Sequence, residues 1–316
     1  MKRSVKGDVV SVCVLSYNSE DTILETLNSF LDQGEFTSQI EIIIGDDCSS
    51  DNSYNLAVTW KSEFESKFKR IKIIKNPENK GVSSSFKNLI DASTGKWIKV
   101  IAADDLLSPN AIESYLFYAE KYNAQIVFGL MECFTSNGDC DLVKPSIRNR
   151  YFFELESQGQ YKYLLNNSFN IAPSSFILRD VLYENNLPHL NYRNFEDLPT
   201  WLTLTSIGKK MHLLEKITVK YRVGDSLSNN QERIVNPSFH ADLKNLYINE
   251  IWPNQSIFNL IKYESKLRFI CLDLFVFVFN NKSNWFTLVI SRFGMYLKPS
   301  NTSLFLRKCF YRKSKL

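Results

Sequence analysis

Trp97-Ile98-Lys99-Val100-Ile101-Ala102-Ala103-Asp104-Asp105 is a short, apolar-rich run that ends in two adjacent carboxylates. A strand entering a core normally ends on turn residues such as Gly or Asn, or on a single capping Asp. The second acid therefore needs a reason. One is capping of the next helix, but Ser108-Pro109 reads as that helix's N-cap followed by Pro at its first position. The other is a hard divalent cation held against phosphate oxygens, for which one or two carboxylates suffice. Open α/β sheets bind ligands at the carboxyl ends of their strands, which favours the metal reading of Asp104 and Asp105.

Upstream, residues 9–15 are a continuous Val-rich run, the pattern of a strand buried on both faces in a parallel sheet. It ends at Ser16-Tyr17-Asn18. Ser19 then reads as the N-cap of a helix with Glu20 and Asp21 in its first turn and Ile23, Leu24, Leu27, Phe30 and Leu31 on one face. Residues 40–45 make a second buried strand, followed by Asp46-Asp47-Cys48-Ser49-Ser50-Asp51 and a helix from about Asn52. Residues 71–75 make a third strand and 76–81 a polar loop. Phe86, Leu89 and Ile90 then mark a helix, and 97–102 the fourth strand. Alternation at this length predicts right-handed parallel crossovers and a doubly wound, mostly parallel α/β sheet. Three strand ends, Tyr17-Asn18, Asp46-Asp47 and Asp104-Asp105, should line one crevice. Neither a phosphate-cradling Gly-rich loop ending in Lys-Ser/Thr nor a Gly-x-Gly-x-x-Gly turn follows the first strand, which sets ATPase and dinucleotide-oxidoreductase readings aside.

Beyond Ser108 the pattern predicts a helix carrying Ile112, Leu116, Tyr118 and Ala119, a strand over 125–130, and turns over 135–150 with Asn137-Gly138 as a hairpin signal. A second acidic pair stands in Asn194-Phe195-Glu196-Asp197-Leu198-Pro199-Thr200-Trp201, before a helix-like run. Asp197 either caps that helix, with Pro199 in its first turn, or presents a carboxylate to a site; the pattern leaves both open. Residues 217–223 read as a strand ending in Tyr221-Arg222, and 224–230 as a polar loop. From about His240 helical patterns dominate and aromatics accumulate, Phe269, Phe275, Trp285 and Phe293 among them, with Asp273 and Arg292 interrupting the apolar runs. This reads first as a helical subdomain packing on the sheet. The alternative is a membrane-surface element, since Lys298, Arg307, Lys308, Arg312 and Lys313 accompany the aromatics. The expected division is residues 1–235, in halves 1–107 and 108–235, and a helical, aromatic and basic extension over 236–316.

Composition bounds these readings. At 316 residues, with 44% hydrophobic and 23% charged, the chain is long enough and apolar enough for a large folded domain. A net charge of +4 is too small to imply nucleic acid. The six cysteines lack the close paired spacing of structural zinc sites and read as reduced thiols packed as small apolar groups, which points to a cytoplasmic protein. The basic start and apolar run of residues 2–15 lack a small-residue cleavage site, so no signal peptide is expected. Nor is a membrane span, because apolar runs of about 18 residues are missing.

With these positions in hand, the chain resembles the family 2 glycosyltransferases of the GT-A fold over about residues 8–230. The blocks fall in the family's order: Val10-Ser11-Val12 through Ser16-Tyr17-Asn18, then Glu41-Ile42-Ile43-Ile44-Gly45-Asp46-Asp47-Cys48-Ser49-Ser50-Asp51, then Asn79-Lys80-Gly81 with Asn88. Ala102-Ala103-Asp104-Asp105 follows, then Phe195-Glu196-Asp197 with Trp201, and Tyr221-Arg222 with Ser226-Leu227-Ser228. The resemblance implies an inverting transferase like those that build bacterial surface polysaccharides. By it, the turn Leu15, Ser16, Tyr17, Asn18 packs on a nucleobase, with the Tyr17 ring as stacking face, and Asp47 accepts a uracil ring N–H. Asp104 approaches the ribose, and Asp105, with Asp104, holds Mg²⁺ or Mn²⁺ on the diphosphate. Asn79, Lys80, Gly81, Asn88 and Arg222 belong to the nucleotide-sugar side. Asp197 is the general base, Glu196 orients it or contacts the acceptor, and Trp201 stands on the acceptor side.

The implied donor is a UDP-sugar and the acceptor a glycan or lipid-linked saccharide, with the C-terminal tail touching the inner face of a membrane. The chain departs from the family twice. Ala102 stands where many members carry an acid, and Cys48 replaces a common turn Gly, a change expected to alter local geometry more than chemistry. A carboxylate of ordinary pKa, about 4, is ionised at neutral pH and can take the acceptor hydroxyl's proton. One base and one metal with no paired nucleophile imply inversion. A sugar-nucleotide pyrophosphorylase would want a Gly-rich basic loop where Ser16-Tyr17-Asn18-Ser19-Glu20 stands, and a catalytically degenerate sugar-nucleotide or glycan-binding protein would have little reason to keep both acid pairs.

Overall fold

Residue Val10 pairs with both Ile40 and Trp97, so the first strand sits in the middle of the parallel half of the sheet, as its unbroken Val-rich pattern requires. The computed structural model describes residues 7–135, 138–167, 171–188, 190–223 and 233–283, without the side chains of 139–141. They fall into two compact units, divided between residues 224 and 225.

In the first unit the strands are β1 (Val10–Ser16), β2 (Ile40–Asp46), β3 (Arg70–Lys75), β4 (Trp97–Ala102), β5 (Leu106–Leu107), β6 (Ile126–Thr135), β7 (Gly138–Lys144), β8 (Ser175–Leu178) and β9 (His212–Arg222). They form one sheet in the order β3-β2-β1-β4-β8-β6-β9-β5, with β7 paired to β6. β1 to β4 are mutually parallel where they pair, β8 runs antiparallel between β4 and β6, and β9 is parallel to β6. Two reversals restore direction, so β6 and β9 point the same way as β4. The carboxyl end of β9 therefore reaches the edge of the sheet where β4 delivers its acids.

The helices are α1 (Ile23–Ser29), α2 (Ser53–Phe64), α3 (Val82–Ala92), α4 (Ala111–Tyr122), α5 (Ile147–Glu154), α6 (Ser157–Leu164), α7 (Arg179–Glu184) and α8 (Asp197–Ser206). α3 buries Phe86, Leu89 and Ile90, the face its spacing predicted, and a Cβ on Gly45 of β2 would meet Leu89 Cδ2 at 3.0 Å. Phe176 of β8 lies between Trp97 and Tyr115, stacked at 4.8 Å on each. The buried Tyr115 hydroxyl donates to the Ser174 carbonyl at 2.5 Å and meets Thr218 Oγ1 at 2.6 Å. The polar end of the ring is thereby satisfied while its body fills the core.

Three local expectations need correction. α1 starts at Ile23 rather than just after Ser19; the Ser19 carbonyl accepts from Thr22 and Ile23, and Glu20 exchanges bonds with the Asp51-Asn52 turn instead. Ser108 does not cap α4. Asn110 precedes that helix in the left-handed region at φ 53°, and the distant Gln33 side chain accepts from Ile112 N at 3.2 Å. The span 135–150 holds β7 and α5 as well as turns, although β6 and β7 do pair antiparallel across the Asn137-Gly138 position, of which Asn137 lies outside the described residues.

The second unit is helical where described. Asn236 caps Pro237–Leu246, accepting from Ser238 N at 3.1 Å and Phe239 N at 3.3 Å, and Asn259 caps the long helix Leu260–Val278. Phe269 is the buried centre, with Tyr247, His240 and Trp252 around it at 5.2, 5.6 and 5.9 Å. Asp273, the acid that interrupts the apolar run, is taken up by His240 at 2.7 Å and Lys244 at 2.5 Å. Among the described residues no helix is long and apolar enough to cross a membrane.

Candidate active site

The three strand ends predicted to converge do so. Asp47 N donates to Ser16 O and Ala103 N to Leu15 O, each at 2.9 Å, which ties the ends of β1, β2 and β4 together. The Tyr17-Asn18 turn is pinned to the next one: Asn18 N donates to Ser49 Oγ at 2.9 Å, and Asn18 Oδ1 accepts from Ser50 N at 2.9 Å. Asn18 adopts φ 48°, which turns the chain away from the sheet and leaves the Tyr17 side exposed. Cys48 adopts φ 63°, a left-handed turn conformation that costs a non-glycine residue backbone strain.

Asp104 lies exposed at the rim, and Asp105 is buried beneath it. Asp105 Oδ1 accepts from Arg222 N at 2.9 Å, whereas Oδ2 is buried without a hydrogen-bond partner. Burial first, and then the Asp104 charge, push the Asp105 carboxyl up to about 8. Lys99, in β4, is fully buried, and burial pulls its ammonium down to about 7 although Asp105 opposes the shift. Its Nζ donates to the carbonyls of Val100, at 2.5 Å, and Pro173. An internal Lys in an apolar strand was a legible signal that the pattern reading passed over.

Arg222 closes the turn rather than standing free for a ligand. Its Nε donates to Asp104 O at 2.9 Å, its guanidinium pairs with Glu25 of α1 and lies 4.4 Å from the centre of the Phe134 ring, and Thr22 Oγ1 donates to Ala103 O at 2.7 Å. Ser226-Leu227-Ser228, expected to follow it in the site, lie outside the described residues.

Asp47 carries more of the architecture than its assigned contact with a base. Oδ1 accepts from Asn76 Nδ2 at 2.8 Å and from Lys80 N at 2.9 Å, and Oδ2 accepts from Gly81 N at 2.8 Å. Asn88 reaches this cluster only through Asn76, at 3.2 Å, and so supports the site from behind. The loop that Asp47 holds is gripped from the other side by a residue the sequence did not single out. Arg193 donates to Asn79 O at 2.7 Å and Asn79 Oδ1 at 2.6 Å, and a Cβ on Gly81 would lie 2.4 Å from Arg193 Cγ. Gly81 also sits at φ 86°, so both conformation and contact require glycine there. Asn79, Lys80, Ser83 and Ser84 face Leu190, Tyr192 and Arg193 across a cavity of about 420 Å³.

Three residues past Arg193 come Glu196 and Asp197, both half-buried at the start of α8. Ser83 Oγ donates to Phe195 O at 3.1 Å, so α3 and the acid pair share an anchor. Asp197 Oδ1 accepts from Leu198 N at 2.7 Å, a cap-like contact, which leaves Oδ2 outside that bond. Burial raises Asp197 above the ordinary carboxylate range; burial first, then the Asp197 charge, push Glu196 up to about 8. The pair is thus not the freely ionised one that reference values imply. Trp201, expected on the acceptor side, is 5% exposed and packs edge-on against Phe128 of β6 at 5.1 Å, on the face of α8 turned to the sheet.

A doubly wound sheet with acids at adjoining strand ends, and a second acid pair three residues beyond the Arg193 that lines the cavity, is an arrangement suited to group transfer. Residues 11–185 match the model of glycosyl transferase family 2, and the chain belongs to that family. It is similar to the putative teichuronic acid biosynthesis glycosyltransferase TuaG of Bacillus subtilis, 26% identical over 225 residues, which covers 71% of this chain and 82% of that one. It is also similar to the UDP-Glc:alpha-D-GlcNAc-diphosphoundecaprenol beta-1,3-glucosyltransferase WfaP of Escherichia coli, 28% identical over 217 residues, 68% of this chain and 78% of the other. The fold matches that of TarS from S. aureus, solved in complex with UDP-GlcNAc, at a TM-score of 0.58 and 16% identity, covering 83% of this chain and 71% of that one. The expected mostly parallel α/β sheet of GT-A type, with a helical C-terminal region, is the fold observed.

Proposed function

We propose that this glycosyltransferase moves a sugar from a UDP-sugar to a hydroxyl of a glycan or lipid-linked saccharide in polysaccharide biosynthesis, with inversion at the anomeric carbon. The observation that carries the donor side is a set of buried, unpartnered oxygens at neighbouring strand ends: Ser16 Oγ, Asp46 Oδ1 and Asp105 Oδ2. Buried polar atoms without partners are few in native structures and call for an explanation, and a bound ion or ligand at these strand ends would supply one. The TarS structures with UDP-GlcNAc and UDP, and the UDP-glucose and lipid diphosphate in the name of the E. coli relative, support a nucleotide diphosphate donor and a lipid-linked acceptor.

The residues present fit a divalent cation. Asp105 offers an oxygen that is buried and without a donor, Asp104 offers a second carboxylate at the rim, and the repulsion that raises Asp105 is relieved by positive charge. When bound there, Mg²⁺ or Mn²⁺ would neutralise charge on the departing diphosphate. The protein's own part is otherwise to orient and to move one proton. Asp47 fixes the loop 79–81, the exposed Tyr17 offers a stacking face, and Arg222 braces the Asp104-Asp105 turn. Asp197 takes the proton of the acceptor hydroxyl as that oxygen attacks the anomeric carbon. Burial and the Asp197 charge make Glu196 hold its proton more tightly, which leaves Asp197 the more readily ionised member of the pair.

Calorimetric titration with UDP and GDP, each with Mn²⁺ and again with chelator, tests the reading. UDP binding that needs the metal and is lost in Asp105→Ala supports it. Absence of nucleotide binding under every condition would favour a glycan-binding protein that keeps the fold.

A further inference from the structure

The helix Leu260–Val278 has two apolar faces, and only one of them is spent on packing. Phe269 and Ser265 face inward. Leu260, Tyr263, Leu267, Ile270, Leu274 and Phe277 recur at alternating steps of three and four residues and are 52–83% exposed. Such spacing puts them on one stripe along the whole helix, about 28 Å long. The stripe continues past the helix start, where Ile257 is 65% and Phe258 86% exposed. Scattered apolar residues on a surface need no explanation, but a contiguous patch of this length marks a docking face.

Three observations choose the occupant. The exposed apolar surface runs on through Ile257 and Phe258, beyond the end of the helical stripe that a partner helix would cover. The helix carries too many charges to span a bilayer but has the length, large aliphatics and cations of one that lies in its surface. The helix carries Lys262, Lys266 and Arg268 against Glu264 and Asp273, and Asp273 is neutralised by His240 and Lys244. Beyond the described chain, residues 284–316 contain seven Lys and Arg and neither Asp nor Glu, the charge complement of an anionic leaflet.

We propose that this face of Leu260–Val278, with Phe258, docks the chain flat on an anionic lipid surface. The inference goes beyond the catalytic reading and stands whichever donor is used. It is tested with the full-length protein and vesicles of phosphatidylcholine, with and without about a third phosphatidylglycerol. The wild type should sediment with the anionic vesicles, and the pair Leu267→Glu and Leu274→Glu should lower partitioning about tenfold or more. Phe258→Ser, outside the helix, should weaken it as well. UDP binding and the thermal unfolding midpoint of each variant establish that it is folded.

Retention of full vesicle binding by both variants would overturn the proposal and assign binding to the basic tail alone. Equal binding to pure phosphatidylcholine would overturn it too, as would no binding to either vesicle. A dimer seen by light scattering and abolished by the same substitutions would show that a second copy covers the face, and would also overturn it.

Discussion

Asp47 Oδ2 accepts the backbone N–H of Gly81 at 2.8 Å, and through that bond the end of β2 sets the position of the loop that enters α3. A carboxylate at a strand end thus acts on a segment 34 residues away in sequence. Asp47→Asn keeps the shape but turns one acceptor into a donor facing an N–H. The change should destabilise the protein by about 1–3 kcal/mol, the cost of a buried group left unmatched. It should also weaken UDP binding at least about tenfold, read by calorimetry beside thermal unfolding.

Asp197→Asn should leave donor affinity within about twofold of wild type while kcat falls by a factor of about a hundred to ten thousand, the usual contribution of a positioned base. Radiolabelled transfer to a lipid-linked acceptor measures the second quantity. Near-normal turnover would remove Asp197 from the role.

Burial raises the Asp197 carboxyl, and burial with the Asp197 charge takes Glu196 to about 8. A base works only when deprotonated. The ascending limb of kcat/KM should therefore lie above the ordinary carboxylate value of about 4. For stability the folded state holds these protons more tightly than the unfolded chain. The contribution is present in full below the unfolded value and is lost as pH rises toward the folded value near 8. Glu196→Gln should accordingly lose less thermal stability than wild type between about pH 5 and pH 8. Parallel melting curves for the two proteins would disprove the assignment.

Arg193 connects the donor-side loop to the segment that leads into the acid pair through its two bonds to Asn79. Arg193→Ala should lower kcat more than it raises the donor KM, because it disturbs alignment between two anchored segments, and misplacement of about 1 Å can cost about a hundredfold. Arg193→Lys, which can keep one of the bonds, should recover part of the loss. Equal effects of the two substitutions on kcat would mean that only the bulk of the side chain matters.

Cys48 occupies a left-handed conformation at φ 63° that glycine adopts without strain. Relief of about 1–2 kcal/mol of steric cost, less the greater chain entropy of glycine, predicts that Cys48→Gly stabilises the protein by about 0.5–1 kcal/mol in chemical denaturation. An unchanged midpoint would show that the Sγ contact to the Pro77 carbonyl, at 3.6 Å, makes up the difference.

What the sequence made legible follows the range of the interactions concerned. β4 begins at Trp97 and ends at Ala102 as read, and β1 and β2 fall within a residue of expectation, because burial on both faces writes an unbroken apolar run into local sequence. Acids at strand ends were legible for the same reason. The start of α4 was misread because Gln33, on another segment, satisfies its backbone. Arg193 was missed because nothing in its neighbours announces a bond to Asn79, 114 residues away. That Trp201 packs on Phe128 was not legible, because an aromatic after an acid pair reads alike whether it faces a cavity or a core ring, and burial is a property of the assembled layers.

The unpartnered Asp105 Oδ2 also bears on the life of the protein outside its reaction. A chain that keeps an unmatched carboxyl oxygen in its interior is less stable alone than when a ligand supplies the missing partner, and it gains stability with the logarithm of ligand concentration. Unfolded fractions, and with them exposure to proteases, then rise when the ligand runs short. Supply of donor would in this way set the amount of enzyme as well as its rate, through the fold itself.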